Sequence, residues 1–157
     1  MSQPYCNMFL TIVWTSAFTL PCAADETVTL IGDWVVTSVE SGGKSRDPIN
    51  FDGMQWVLGK ETLEIMPARA TPAGLAHKPN LKCTFAVDDT QSPAHFNWTI
   101  GEGDKKATIN AIYELKGDVL RVCFARRGAP RPGGFDTQGK RSSVYEFKRA
   151  KADQYKE

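Results

Sequence analysis

One segment limits the folds open to this chain more than any other feature. Residues 111–125 read AIYELKGDVLRVCFA, and Lys116-Gly117-Asp118 separates two runs in which apolar residues recur at every second position. A period of two places apolar side chains on one face of a β-strand, and glycine supplies the positive φ that a tight turn requires. The segment therefore predicts an antiparallel hairpin with one buried face.

Runs of the same kind recur along the chain. They predict eight strands, at residues 33–40, 54–58, 62–66, 81–87, 95–100, 107–115, 119–125 and 142–149. Tight turns join most of them, while irregular loops rich in proline and glycine occupy residues 67–79 and 126–140. Eight antiparallel strands can close into an up-and-down barrel, which leaves no exposed sheet edge. We predict an all-β fold, an eight-stranded antiparallel up-and-down barrel, with a β-sandwich as the alternative.

The N-terminal segment differs from the rest of the chain. Residues 1–24 contain no Lys, Arg, Asp or Glu, residues 9–20 are mainly apolar, and Pro21-Cys22-Ala23-Ala24 precedes Asp25. This pattern is typical of a secretory signal peptide cleaved after Ala24, whereas a membrane anchor would need roughly 20 apolar residues. We expect a signal peptide at 1–24, a barrel domain at 25–150 and a polar tail at 151–157. The expected location is periplasmic or extracellular.

The two cysteines that follow the signal peptide are expected to remain free thiols. Cys83 alternates with Phe85 on an apolar face, whereas Cys123 shares its face with Arg121. A disulfide needs Cα atoms within about 7 Å and converging Cβ vectors. Because the alternation directs one thiol toward the interior and the other away from it, we expect no bridge between them.

Motifs of enzymes, metal sites and nucleic-acid binders are missing from the sequence. The two histidines, His77 and His95, have no metal-ligand spacing, and no nucleophile-elbow, phosphate-loop or dinucleotide motif occurs. A Cys83–His95 pair is disfavoured because the alternation puts the two side chains on opposite faces. The net charge of +1 argues against nucleic-acid binding. We therefore predict no enzymatic activity, no catalytic residue, no metal and no cofactor.

Aromatic residues dominate the face assigned to the interior, and they have two interpretations. They fill a solid core, or some of them line a cavity, since a barrel of this size can hold one small molecule. In the second interpretation the ligand-lining candidates are Trp56, Phe85, Trp98, Tyr113 and Phe124. In the first, the protein is a structural or protein-interaction module that acts through its loops, with a partner that the sequence does not identify.

A cluster of basic residues marks the last long loop. It contains Arg126, Arg127, Arg131, Lys140 and Arg141. The cluster is either a solvated loop or a rim that binds an anion or a partner at one barrel mouth. A further interpretation is structural: this loop folds over the end of the barrel, and Arg131-Pro132 and Phe135 hold it there.

Two short motifs resemble those of lipocalins. Gly32-Asp33-Trp34 resembles the Gly-x-Trp that opens a lipocalin barrel, and Arg149 resembles the basic residue that covers that tryptophan. The resemblance implies that Trp34 and Arg149 form a structural latch between the first and last strands. A guanidinium over an indole ring contributes about 1–2 kcal/mol when it is partly desolvated.

A longer pattern resembles a family of lipocalin-like conserved hypothetical proteins of environmental bacteria. The matching segments are residues 32–44, Thr84 to Asp88 with Pro93, Ile112 to Leu120, Arg131-Pro132 with Phe135, and Lys148-Arg149. The chain departs from the pattern at Cys83, where the family tends to have glycine. The resemblance implies the barrel and no known reaction or ligand. The leading prediction is therefore an exported, non-enzymatic barrel that binds a small apolar ligand in its interior.

Overall fold

The computed structural model describes residues 29–67 and 81–151. Its strands are β1 (Gly32–Ser41), β2 (Lys44–Ser45), β3 (Gln55–Leu58), β4 (Thr62–Met66), β5 (Leu81–Asp88), β6 (Ala94–Ile100), β7 (Ala107–Lys116), β8 (Val119–Ala125) and β9 (Ser142–Arg149). Two 3-10 turns, Pro48–Asn50 and Gly103–Lys105, lie in the connections. The predicted signal peptide, most of the loop at 67–79 and residues 152–157 of the predicted tail lie outside the described residues.

The eight long strands form one closed barrel. Each of β3 to β8 pairs antiparallel with the strand that follows it, β1 pairs with β3, and β1 also pairs with β9 to close the sheet. The two-residue β2 extends the end of β1. This closed antiparallel up-and-down barrel confirms the predicted fold class and leaves β1 and β9 without free edges.

The predicted strands agree with the observed ones to within one residue at each end. In the hairpin of residues 111–125, Leu115 pairs with Leu120 and Lys116 with Val119, and Gly117 has the expected positive φ of 55°. The sequence did not predict β2 or the two 3-10 turns, because elements of two or three residues show no periodicity. The first of these turns is set by Asp47, whose side chain accepts a hydrogen bond from the backbone of Ile49 at 3.0 Å.

The strand directions define two different ends of the barrel. The end that carries the loops at residues 42–54, 101–106 and 126–141 is called the mouth. The base carries the turns at 59–61, 89–93 and 117–118, together with residues 29–31 that precede β1. Trp34, Leu58 and Leu120 near the base are at most 1% exposed. Phe124 and Tyr145 near the mouth are only partly buried, so packing is tighter at the base.

A second apolar cluster lies on the outer wall of the barrel. Ile112, Cys123 and Val144, from three adjacent strands, are buried there beneath Phe135 of the loop at 126–141. The prediction that Cys123 lies on the outer face is therefore confirmed, and Phe135 is the reason that this face is nevertheless buried. Cys83 and Cys123 are both free, as expected.

Hydrogen bonds from two residues hold the loop at 126–141 in this position. The Arg131 guanidinium donates to the Ala111 carbonyl oxygen and, at 2.7 Å, to Asn97 Oδ1. The buried Thr137 hydroxyl donates to the Glu40 carboxylate and accepts from the Gly43 backbone at 2.8 Å. The structural interpretation of this loop therefore holds in part: Arg131 and Phe135 do fix it, but against the outer wall rather than over the end of the barrel.

The Cys83 thiol makes the stability of the barrel sensitive to alkaline pH. Its burial raises the pKa of Cys83 to about 11. The folded state thus holds this proton more tightly than the unfolded chain, so stability is constant below about pH 8.5 and falls as the pH rises toward 11. We expect this group to remove about 1 kcal/mol from the unfolding free energy between pH 8 and pH 10.

Urea unfolding of the wild type and Cys83→Ala at both pH values measures the contribution of this thiol. Since burial also raises the pKa of Cys123, some pH dependence is expected to remain in the variant. The variant should lose less stability than the wild type over this interval. An identical loss in the two proteins would contradict the assignment to Cys83.

Candidate functional site

The interior of the barrel contains a continuous group of aromatic rings. The structure places all five predicted ligand-lining residues, Trp56, Phe85, Trp98, Tyr113 and Phe124, on this inner face. Ring centroids are 5.5 Å apart for Trp56 and Trp98, and 5.2 Å apart for Trp98 and Phe124. Phe96 joins Phe85 and Tyr113 to this group, with centroid distances of 5.2 and 6.2 Å. We call these six rings the aromatic wall.

Burial divides the aromatic wall into two parts. Trp56 and Trp98 are 2% and 3% exposed and pack edge-to-face against each other. Phe85, Tyr113 and Phe124 face the same interior but are only partly buried. These two tryptophans and the fully buried Phe96 therefore fill the middle of the barrel, whereas the three other rings retain some accessible surface.

A cavity of about 360 Å³ opens at the mouth. Its walls are formed by Val39, Ser41, Arg46, Asn50, Phe51, Met54, Ser143 and Tyr145. Tyr145 connects this mouth cavity to the aromatic wall, because its ring centroid lies 5.1 Å from that of Phe124 and 6.2 Å from that of Trp56. None of the six rings of the aromatic wall lines the cavity itself, so Tyr145 is the contact between the two.

Polar side chains make up half of the residues that line the mouth cavity. The hydroxyls of Ser41 and Ser143 are hydrogen-bonded at 3.0 Å. Burial raises the pKa of the Tyr145 hydroxyl, and the nearby positive charge of Arg46 opposes this shift. Arg46 makes no ion pair within residues 29–67 and 81–151. An apolar molecule with one polar end could therefore be oriented by these groups.

One polar atom inside the barrel has no hydrogen-bond partner among the described residues. It is the indole nitrogen Nε1 of Trp56, which is fully buried. Leaving a buried donor unpaired costs about 1–3 kcal/mol. A hydrogen-bond acceptor on a molecule in the interior would remove this cost.

The predicted contact between Trp34 and Arg149 is present at the base. The Arg149 guanidinium lies 4.3 Å from the Trp34 ring centroid, and the two residues are paired across β1 and β9. The same guanidinium donates to the carbonyl oxygens of Ile31 and Thr29 at 3.0 and 2.9 Å. The Trp34 indole donates to the Leu30 carbonyl oxygen at 2.9 Å, so residues 29–31 are fixed across the base.

A metal site and a membrane-spanning helix are two features that would indicate other kinds of function. In the part of the chain that is described, no group of three or more His, Cys, Asp or Glu side chains is placed to hold a metal ion. No helix in that part has the length and apolar character needed to cross a membrane. The predictions of no metal, no cofactor and no enzymatic activity remain predictions.

The sequence did not single out the residues of the mouth cavity. Arg46 and Asn50 lie in an irregular connection, where no periodicity shows which way a side chain points. Tyr145 alternates with Phe147 along the last strand, which indicates that it faces the interior but not that it lies at the mouth.

Comparison of the chain with protein-family models, curated proteins and solved structures finds no match.

Proposed function

We propose that this protein is an exported, non-enzymatic, lipocalin-like barrel that binds one small, largely apolar molecule. The observation that carries the proposal is the mouth cavity of about 360 Å³, whose wall residue Tyr145 packs against Phe124 and Trp56 of the interior. Its volume is within the range of about 300–1,000 Å³ that is common for small-molecule sites. Apolar surface comes from Val39, Phe51, Met54 and Tyr145, and polar groups come from Ser41, Arg46, Asn50 and Ser143.

The interior supplies both the driving force and the orientation for such binding. Burial of apolar surface contributes about 25 cal/mol per Å², and the accessible faces of Phe85, Tyr113 and Phe124 provide that surface. The unpaired Trp56 N–H offers a hydrogen bond from within the barrel. Arg46 and the Tyr145 hydroxyl would contact the end of the ligand that remains at the mouth.

Export is the second element of the proposal. It is supported by the apolar, uncharged character of residues 1–24 and by the small residues before Asp25. We expect the protein recovered from the periplasmic or extracellular fraction of its own host to begin at Asp25. Intact mass spectrometry of that fraction measures the N-terminus, and a mature protein that retains Met1 would contradict cleavage.

Two serines of β1 provide a matched test of binding at the mouth. Ser41 lines the mouth cavity, whereas Ser38 lies exposed on the outer face of the same strand. Ser41→Phe is expected to weaken binding of the neutral probe N-phenyl-1-naphthylamine by about ten-fold or more, because the ring occupies the cavity. Ser38→Phe is expected to leave the affinity within about two-fold.

Fluorescence titration of the probe measures both affinities, and circular dichroism establishes that each variant is folded. Equal affinities in the wild type and both variants would show that the probe binds elsewhere. No saturable binding to the wild type would favour the alternative function, an interaction module with a filled core. The close packing of Trp56 against Trp98 is the observation that supports this alternative.

A further inference from the structure

A second cavity lies outside the barrel interior, beneath the loop at 126–141. It has a volume of about 450 Å³ and is lined by Ala125, Ala129, Pro130, Arg131, Pro132, Gly133, Gly134, Lys140, Arg141 and Ser142. Ala125 and Ser142 are paired at the ends of β8 and β9 and continue the outer face that carries Cys123 and Val144. This loop pocket shares no lining residue with the mouth cavity.

The loop that forms the pocket is held at both of its ends and in its middle. The backbone of Arg126 donates to the Arg141 carbonyl oxygen at 3.2 Å, which closes the two ends together. Arg131 is bonded to Asn97 and to the Ala111 carbonyl oxygen on the outer wall. Phe135 is packed over the outer apolar cluster. Because the loop is held in this way, the pocket exists without a ligand to shape it.

The loop has a local excess of positive charge. Residues 126–141 contain five basic residues and one acidic residue, a net charge of +4, whereas the whole chain has a net charge of +1. Lys140 is neutralised by Asp136 at 2.8 Å, and two of the Arg131 donors are used within the protein. Arg141 lines the pocket and forms no ion pair among the residues described.

A buried hydroxyl lies on the same wall. Ser142 is 6% exposed and lines the pocket. Its hydroxyl oxygen is itself inaccessible and lies beside the Cys123 thiol, so it belongs to the wall and does not reach a molecule in the pocket. Arg141 is exposed at this wall, and a guanidinium binds a carboxylate through charge-assisted hydrogen bonds.

We propose that the loop pocket is a binding site for a small organic anion, a carboxylate attached to a compact apolar body. The carboxylate is placed against the Arg141 guanidinium. The apolar body packs against the ring faces of Pro130 and Pro132. The site is separate from the mouth cavity, and the proposal does not depend on a ligand in the barrel interior.

Amide chemical shifts of the ¹⁵N-labelled protein, titrated with benzoate, test the proposal. Benzyl alcohol, which has the ring without the charge, and acetate, which has the charge without the ring, are the comparison probes. We expect saturable shifts at Ala129, Gly133 and Gly134 with benzoate, and affinities at least about five-fold weaker for the other two probes. Acetate binding as tightly as benzoate would overturn the proposal, as would benzoate shifts confined to the mouth cavity.

Two arginine variants separate the pocket from the general charge of the loop. Arg141→Gln is expected to weaken benzoate binding by about three- to ten-fold, because it removes the cation on the pocket wall. Arg127→Gln removes the same charge from a residue that does not line the pocket, and it is expected to change the affinity by less than about two-fold. Equal losses in the two variants, or no saturable shift in the wild type, would overturn the proposal.

Discussion

Replacing Phe96 with alanine is expected to lower the free energy of unfolding by about 3–5 kcal/mol. Phe96 is completely buried, and its ring contacts four other rings of the interior, those of Trp56, Phe85, Trp98 and Tyr113. Truncation removes the burial of a whole aromatic side chain and leaves a cavity that this ring cluster cannot readily collapse to fill. Urea unfolding followed by tryptophan fluorescence measures the loss.

Phe85→Ala is the matched control for this variant. Its ring stacks on that of Phe96 at 5.2 Å, but it is only partly buried. We therefore expect its stability loss to be about half as large, since less surface is removed from water in the folded state. Equal losses for the two variants would contradict the division of the aromatic wall into a packed part and an accessible part.

The second large effect is expected at the base. Arg149→Met should lower the unfolding free energy by about 2–3 kcal/mol, because it removes two charge-assisted hydrogen bonds to backbone carbonyls and a cation–π contact. These interactions hold residues 29–31 across the base and join β1 to β9. Methionine keeps much of the aliphatic length, so the difference reports mainly on the guanidinium.

Asp118→Asn serves as the control for this experiment. Asp118 also pairs with Arg149, at 3.2 Å, but its side chain is 80% exposed. Exposed ion pairs contribute little, so we expect a loss below about 0.5 kcal/mol. Thermal and urea unfolding of the two variants give the comparison. A loss for Asp118→Asn as large as that for Arg149→Met would show that the ion pair, rather than the latch, stabilises this end.

The strands were predictable because apolar and polar residues alternate along the long strands. In residues 119–125, Leu120 and Val122 are fully buried in the interior and Arg121 between them is not, although Phe135 also buries Cys123 on the outer face. The pairing of Trp34 with Arg149 was implied by the resemblance of two short motifs to those of lipocalins, and it is consistent with closure, since the first and last strands of a closed barrel must be neighbours. For the strands themselves, local alternation was sufficient.

The cavities were not predictable from the same pattern. The alternation of apolar residues assigns both Trp98 and Phe124 to the interior. In the structure Trp98 is almost completely buried, whereas Phe124 is only partly buried. That difference depends on how the strands are staggered around the barrel and on which loop residues reach each ring. The loop pocket depends in addition on Phe135, whose partners Ile112 and Val144 come from distant parts of the chain. Neither relation leaves a periodic signal in the sequence.

Native mass spectrometry of the protein purified from its own host tests the central claim most directly. If the barrel binds a small molecule at its mouth, the wild type and Ser38→Phe should carry one bound ligand that organic solvent releases. Ser41→Phe should carry much less of it, because the new ring occupies the mouth cavity. A wild-type protein that shows only its unliganded mass, and that also fails to bind N-phenyl-1-naphthylamine, would contradict the proposed function.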